Sequence, residues 1–189
     1  EYHTNFKLKQ TKGTEEIVLS DQDTVAINNV PLGLTQLGHA HCRDVNGGTS
    51  WVLDASPTPG SSNGMSDHFD GYAEKPELNM TGGFYSGSIA IQMTNSPANA
   101  IVRYTIDGTL PTASDPIFSG ILSITSTQVL KLRSFNNSSN IRPSFIEFNT
   151  YFIDENFTLP VFSVGADEVI DLANGDQSLR PHGSAEYFN

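Results

Sequence analysis

Apolar and polar residues alternate in short runs along this chain, and each run is soon cut by Gly, Pro, Asn or Asp. That pattern asks for short strands and leaves no room for long helices. Ile89, Ile91 and Met93 fall on one side of a run that starts at Gly83. Val102, Tyr104 and Ile106 fall on one side of the next, which ends at Asp107-Gly108. Residues two apart line the same face of a strand, so each set is a face that can be buried. Ile121–Ile124, Val129–Phe135 and Phe145–Ile153 continue the series. Upstream, Thr4–Gln10 sets Phe6 and Leu8 against Lys7 and Lys9. Glu16–Leu19 puts Ile17 and Leu19 together, and Val25 and Ile27 share a face after the polar turn Asp21–Asp23. Trp51-Val52-Leu53 is a short apolar strand, whereas residues 31–50 read as irregular. Leu159–Val164 reads as a strand, Asp167–Leu172 as a short helix, and Ala185–Asn189 as strand-like. No stretch keeps apolar residues at i, i+3, i+4 and i+7 over three turns.

Function classes are narrowed by charge. The net charge of -11 and the scattered Lys and Arg residues disfavour a nucleic-acid partner, which needs a basic stripe. The same argument disfavours an anionic membrane surface, and no apolar run reaches the ~20 residues of a spanning helix, so membrane insertion is not expected. Cys42 is the only cysteine, so an internal disulfide is impossible. The chain opens Glu1-Tyr2-His3 without an initiator Met and stops on an apolar, strand-like run, which leads us to expect a piece of a longer protein.

Few residues carry chemistry in a recognisable pattern. His39, His41 and Cys42 are metal-ligand types close together, but zinc would want a further ligand pair, and the expectation is no metal. Asp67, His68 and Asp70 lack the alternation and distal Glu of a calcium loop. Gly-x-Ser-x-Gly and phosphate-loop motifs are absent, and Asp154-Glu155 and Glu15-Glu16 are chain neighbours that a strand would point to opposite faces. No catalytic residue and no cofactor is expected. Asp107-Gly108 reads as a structural device: Gly tolerates positive φ, Asp holds the turn through backbone N–H groups, and Pro111 then takes the chain out of the sheet. Trp51, Phe84, Tyr85 and Tyr151 are flat enough to stack on sugar rings. Core packing is the expectation for Trp51 and Tyr151. Phe84 and Tyr85, beside Gly82-Gly83, are the candidates for glycan contact. Asn79, Asn136, Asn137 and Asn156 each begin an Asn-x-Ser/Thr sequon.

Three segments carry family resemblances. Residues 5–63, through Asn5-Phe6-Lys7-Leu8, Glu16–Leu19, Gly48–Trp51 and the closing Pro57–Asn63, resemble the second half of a lamin-tail domain. Its usual Ser-x-Gly-Arg-like stretch is replaced by Leu37–Arg43. Residues 76–153 resemble a chitobiase/β-hexosaminidase C-terminal-type domain, through Gly83-Phe84-Tyr85, Ile101–Thr112, Val129–Phe135 and Thr150–Ile153. Residues 157–189, through Leu159–Val164 and Glu186-Tyr187-Phe188, resemble the opening of a CotH kinase-like domain. Together these imply an all-β chain of tandem immunoglobulin-like β-sandwich modules, the first partial: residues 1–63, a linker at 64–75, a sandwich at 76–153, and the start of a third domain at 154–189. A half sandwich leaves strand edges and an apolar face to be covered by more chain or by a partner.

The implied function is non-catalytic: a spacer, presentation or adhesion segment of a large exported bacterial protein, at the cell surface or secreted. Alternatives are an accessory N-terminal part of a CotH-like kinase and a carbohydrate-binding accessory module. Expected partners are other domains of the same chain, a surface protein or a glycan. Asp23-Thr24-Val25 is similar to the O-glycosylation sequon of Bacteroidetes-type exported proteins, which makes Thr24 a candidate acceptor.

Overall fold

The computed structural model describes residues 15–64, 67–179 and 182–189. The expected strand at Thr4–Gln10 lies outside the described residues. The fold is all-β, with fifteen strands and one short helix among the described residues. Two compact units divide the chain, residues 1–70 and 71–189.

The first unit contains two small sheets. β1 (Glu16–Ser20) and β2 (Ala26–Pro31) form an antiparallel hairpin. Asp21 holds its turn, its Oδ1 accepting from the N–H groups of Asp23 and Val25 at 3.0 and 2.9 Å. Val18, Leu19, Val25 and Ile27 all stay exposed, Leu19 at 60%, so the hairpin keeps its apolar side chains in solvent. β3 (Ala40–Arg43), β4 (Trp51–Asp54) and β5 (His68–Phe69) form an antiparallel sheet with β4 in the middle. β3 departs from the irregular reading of residues 31–50. Ala40-His41-Cys42-Arg43 carries no apolar alternation, and pairing with β4 rather than local pattern makes it a strand.

The second unit holds the immunoglobulin-like sandwich. After β6 (Gly71–Tyr72) come β7 (Gly83–Tyr85), β8 (Ile89–Gln92), β9 (Ala100–Thr105), β10 (Ile121–Ile124), β11 (Gln128–Asn136), β12 (Ile141–Arg142) and β13 (Glu147–Ile153). β5 and β6 both lie in the stretch read as linker, and β6 pairs with β12. One sheet runs β7-β13-β11-β9, the other β8-β10. Alternation supplies the core between them: Ile91, Ile124, Leu130, Leu132 and Tyr151 are fully buried, joined by Val102, Phe118 and Ile153. Each such aliphatic side chain contributes roughly 1.5–3 kcal/mol on burial. Ile106 departs from its expected place beside Val102 and Tyr104. β9 ends at Thr105, and Ile106 turns out to 48% exposure.

The Asp107-Gly108 device stands as read. Gly108 has φ +85°, and Asp107 Oδ1 accepts from the N–H and hydroxyl of Thr109 at 3.0 and 2.6 Å. Those bonds, the hydroxyl's first, hold the Asp107 carboxyl below its ordinary range.

β14 (Val161–Ala166), α1 (Val169–Ala173) and β15 (Gly183–Phe188) complete the chain, with β14 and β15 paired antiparallel. They cover the outer face of the larger sheet, where Lys131, Phe148, Thr150 and Phe152 point away from the core. Lys131, only 2% exposed, donates to the Gly165 carbonyl at 2.9 Å. The Thr150 N–H donates to Glu186 Oε2 at 2.6 Å, and the Thr150 and Ser163 hydroxyls meet at 2.6 Å. Leu110 N–H donates to Asp167 Oδ1 at 2.8 Å. The larger sheet thus becomes the middle layer of three.

Candidate functional site

The parallel pairing of β7 with β13 decides how Phe84 and Tyr85 are presented. Phe152 lies opposite Phe84, and Ile153 opposite Tyr85. Neighbouring residues on a strand face opposite ways, so the two candidate rings part company. Tyr85 turns inward: its ring packs near Tyr151 and the core, and its hydroxyl donates to the Thr81 carbonyl at 2.7 Å. Phe84 turns outward onto the face covered by β14 and β15.

There Phe84 joins an aromatic cluster. Its ring lies nearly parallel to Phe152, with centroids 4.7 Å apart and planes 17° apart. Phe157 and Phe188 meet it edge-on at 6.0 and 5.9 Å, and both also pack edge-on against Phe152. These offset and edge contacts are the favourable arrangements of aromatic quadrupoles, and they fix the Phe84 ring in place. It nonetheless remains 45% exposed. It floors an open groove of about 280 Å³, lined also by Glu155, Asn156, Phe157, Leu159, Phe188 and Asn189. A fixed apolar ring ringed by amide and carboxylate groups is suited to a ligand with one apolar face and polar edges.

The other sequence candidates are dispersed. Tyr151 is fully buried and its hydroxyl donates to the Met80 carbonyl at 2.9 Å; burial pushes its pKa far up. Trp51 is half-buried, with the Arg43 guanidinium 4.2 Å over its ring. It lines a second groove of about 420 Å³ with His41, Leu53, Phe69 and Asp70. Trp51 is half-buried whereas Phe84 is exposed, so the Phe84 groove offers the more accessible ring. Thr24 is exposed at the β1–β2 turn with φ 65°. Of the sequon asparagines, Asn79 spends its amide on Ala90 and Gln92 backbone groups, and Asn136 on Ala98 and Ser138.

His39, His41 and Cys42 do not converge. His39 meets Phe69 edge-on, while His41 and Cys42 alternate across β3. Cys42 instead shares a face with Asp54 and His68, residues that nothing in the sequence joins. The groove residues Phe157 and Phe188 were likewise missed. They sit in a segment that reads as the start of another domain, and only the docking of β14 and β15 brings them to Phe84.

Compared with known families, residues 80–144 match the chitobiase/beta-hexosaminidase C-terminal domain. The match runs from just before β7 through β12 and includes Phe84, Tyr85 and the Asp107-Gly108 turn. No curated protein and no solved structure matches the chain.

Proposed function

We propose that this chain is a non-catalytic accessory segment of a larger exported protein, and that its sandwich contacts a carbohydrate through the Phe84 groove. The observation that carries the reading is the Phe84 ring itself, held rigid by three phenylalanines yet open on the surface of a domain of the chitobiase C-terminal type. A sugar ring would stack on the exposed part of Phe84 and offer its hydroxyls to Glu155, Asn156 and Asn189. In this reading residues 1–63 are the later half of a lamin-tail-like sandwich. Its exposed β1–β2 apolar residues are where further chain or a surface partner packs. Residues 154–189 open a CotH-like domain. Export fits the usual extracellular setting of the matched domain family, and among the described residues no helix is long and apolar enough to cross a membrane. Thr24, exposed on a hairpin turn, is positioned for O-glycosylation in such a protein.

The test is a binding screen of the full chain against chitin oligosaccharides and a panel of other polysaccharides, beside Phe84→Ala. Stacking of this kind is worth about 1.4 kcal/mol at the upper end, so the variant should bind about tenfold more weakly while staying folded. Equal binding by the two proteins, or no binding by either across the panel, would refute the glycan reading.

A further inference from the structure

The sheet β3–β4–β5 gathers three ligand-type side chains from distant parts of the first unit. Its register sets Ala40 opposite Asp54 and Asp54 opposite His68, while Cys42 lies two residues along from Ala40. Alternation therefore puts Cys42, Asp54 and His68 on one face and His41, Leu53 and Phe69 on the other. Cys42 Sγ lies 3.8 Å from Asp54 Oδ2, and His68 Nε2 lies 3.4 Å from the same oxygen. All three ligand atoms fall within 4.8 Å of one another.

Asp54 is 5% exposed, and its other oxygen, Oδ1, accepts from the Ser56 N–H at 2.7 Å, which aims Oδ2 at Cys42 and His68. The Ser56 hydroxyl donates in turn to Asp67 at 2.8 Å, steadying the turn that follows β4. His68 Nε2 is closed off from solvent and has no hydrogen-bond partner, although Asp54 is near. A ring nitrogen with no hydrogen-bond partner, a buried carboxylate and a thiol on one face make a donor set that a single cation would satisfy.

We propose that Cys42 Sγ, Asp54 Oδ2 and His68 Nε2 bind a divalent transition-metal ion of the zinc class, with water as the fourth ligand. The spacing agrees with the ion's size. Zinc bonds of about 2.3 Å to sulfur and about 2.0 Å to nitrogen and oxygen, set tetrahedrally, separate S and O by about 3.5 Å and N and O by about 3.3 Å. The thiol selects against calcium and magnesium, which take oxygen ligands. Ser56 supplies the outer hydrogen bond that such sites use to orient a ligand. On binding, Cys42 gives up its proton to solvent and stays as the thiolate. The ion would tie together three strands of only four, four and two residues, a sheet too small to be rigid on its own.

The test uses the full chain stripped of metal and titrated with zinc by calorimetry and with cobalt(II) by absorption. The expected results are one zinc per chain and a thiolate-to-cobalt charge-transfer band. Cys42→Ser should abolish the band. Asp54→Asn and His68→Gln should weaken zinc binding at least as much as the roughly 10–100-fold that loss of an outer-shell partner costs. His41→Ala, on the opposite face, should bind as the parent does. Circular dichroism checks that each variant keeps its strands. If one does not, alkylation of Cys42 in the unaltered chain, slowed by one equivalent of zinc, supplies the same answer. Absence of the cobalt band, Cys42 alkylation unaffected by zinc, or zinc binding as tight in Cys42→Ser and His68→Gln as in the parent would overturn the assignment.

Discussion

Replacing Tyr151 by Phe deletes one oxygen from the centre of the sandwich and leaves the ring contacts in place. Tyr151 is fully buried, and its hydroxyl donates to the Met80 carbonyl at 2.9 Å, tying β13 to the segment before β7. Loss of that bond costs about 1–1.5 kcal/mol, since water cannot take the place of the hydroxyl. The unit comprises residues 71–189, or 119 residues, which at ~2.1 cal/mol/K per residue gives an unfolding entropy of ~0.25 kcal/mol/K. The expected fall in Tm is therefore about 4–6 °C. Tyr85 provides the control. Its hydroxyl makes the same kind of bond to the Thr81 carbonyl at 2.7 Å, but in an exposed setting where water can substitute. Tyr85→Phe should cost less than half as much. Trp51, the chain's only tryptophan, lies in the other unit, so the transition must be followed through the tyrosine near-ultraviolet circular dichroism. Alkaline pH adds a second arm. Burial raises the Tyr151 pKa above that of an unfolded tyrosine, so the neutral phenol is favoured in the fold. That contribution is complete below pH ~10 and is lost as pH rises towards the folded value. The penalty of Tyr151→Phe should shrink accordingly above pH ~10. A Tyr85→Phe effect larger than that of Tyr151→Phe, or a penalty that grows with alkaline pH, would refute the reasoning.

Two further substitutions probe the outer face and the interior of the larger sheet. Burial pushes the Glu186 carboxyl up, and its bonds from Thr150 only partly offset this. The raised folded value means that stability is fully present below the ordinary carboxylate range and is lost as pH rises through the folded pKa. Glu186→Gln should then be at least as stable as the parent at neutral pH, with the advantage vanishing in acid, as urea midpoints at the two pH values will show. Ser144 is fully buried; its Oγ accepts from the Ser134 N–H at 2.9 Å and donates to the Phe145 carbonyl at 2.8 Å. Ser144→Ala leaves both groups unpaired and should cost about 1–3 kcal/mol in chemical denaturation.

The features legible in the sequence are those whose causes are local. The β9 strand and its Asp107-Gly108 turn could be read because alternation, a positive-φ glycine and Pro111 act within a dozen residues. The core face followed from the same alternation, apart from Ile106, where the strand stops one residue earlier than the pattern. β3, β5 and β6 were not legible. They are two to four residues long and exist because a neighbouring strand offers unpaired backbone groups. Phe84 was legible as a candidate because it stands beside paired glycines, but its groove was not. Phe152, Phe157 and Phe188 reach it from 68, 73 and 104 residues away in sequence, through parallel pairing and the docking of β15. Cys42, Asp54 and His68 form no motif for the same reason: register across three strands, not spacing along one, brings them together.

The most direct test of the central claim is a titration of the isotope-labelled full chain with each sugar of the chitin and polysaccharide panel, followed by nuclear magnetic resonance. The account predicts saturable shifts confined to Phe84, Asn156, Phe157, Phe188 and Asn189, with Tyr85 and the core unmoved. Shifts centred on another surface, or none at saturating sugar, would contradict it.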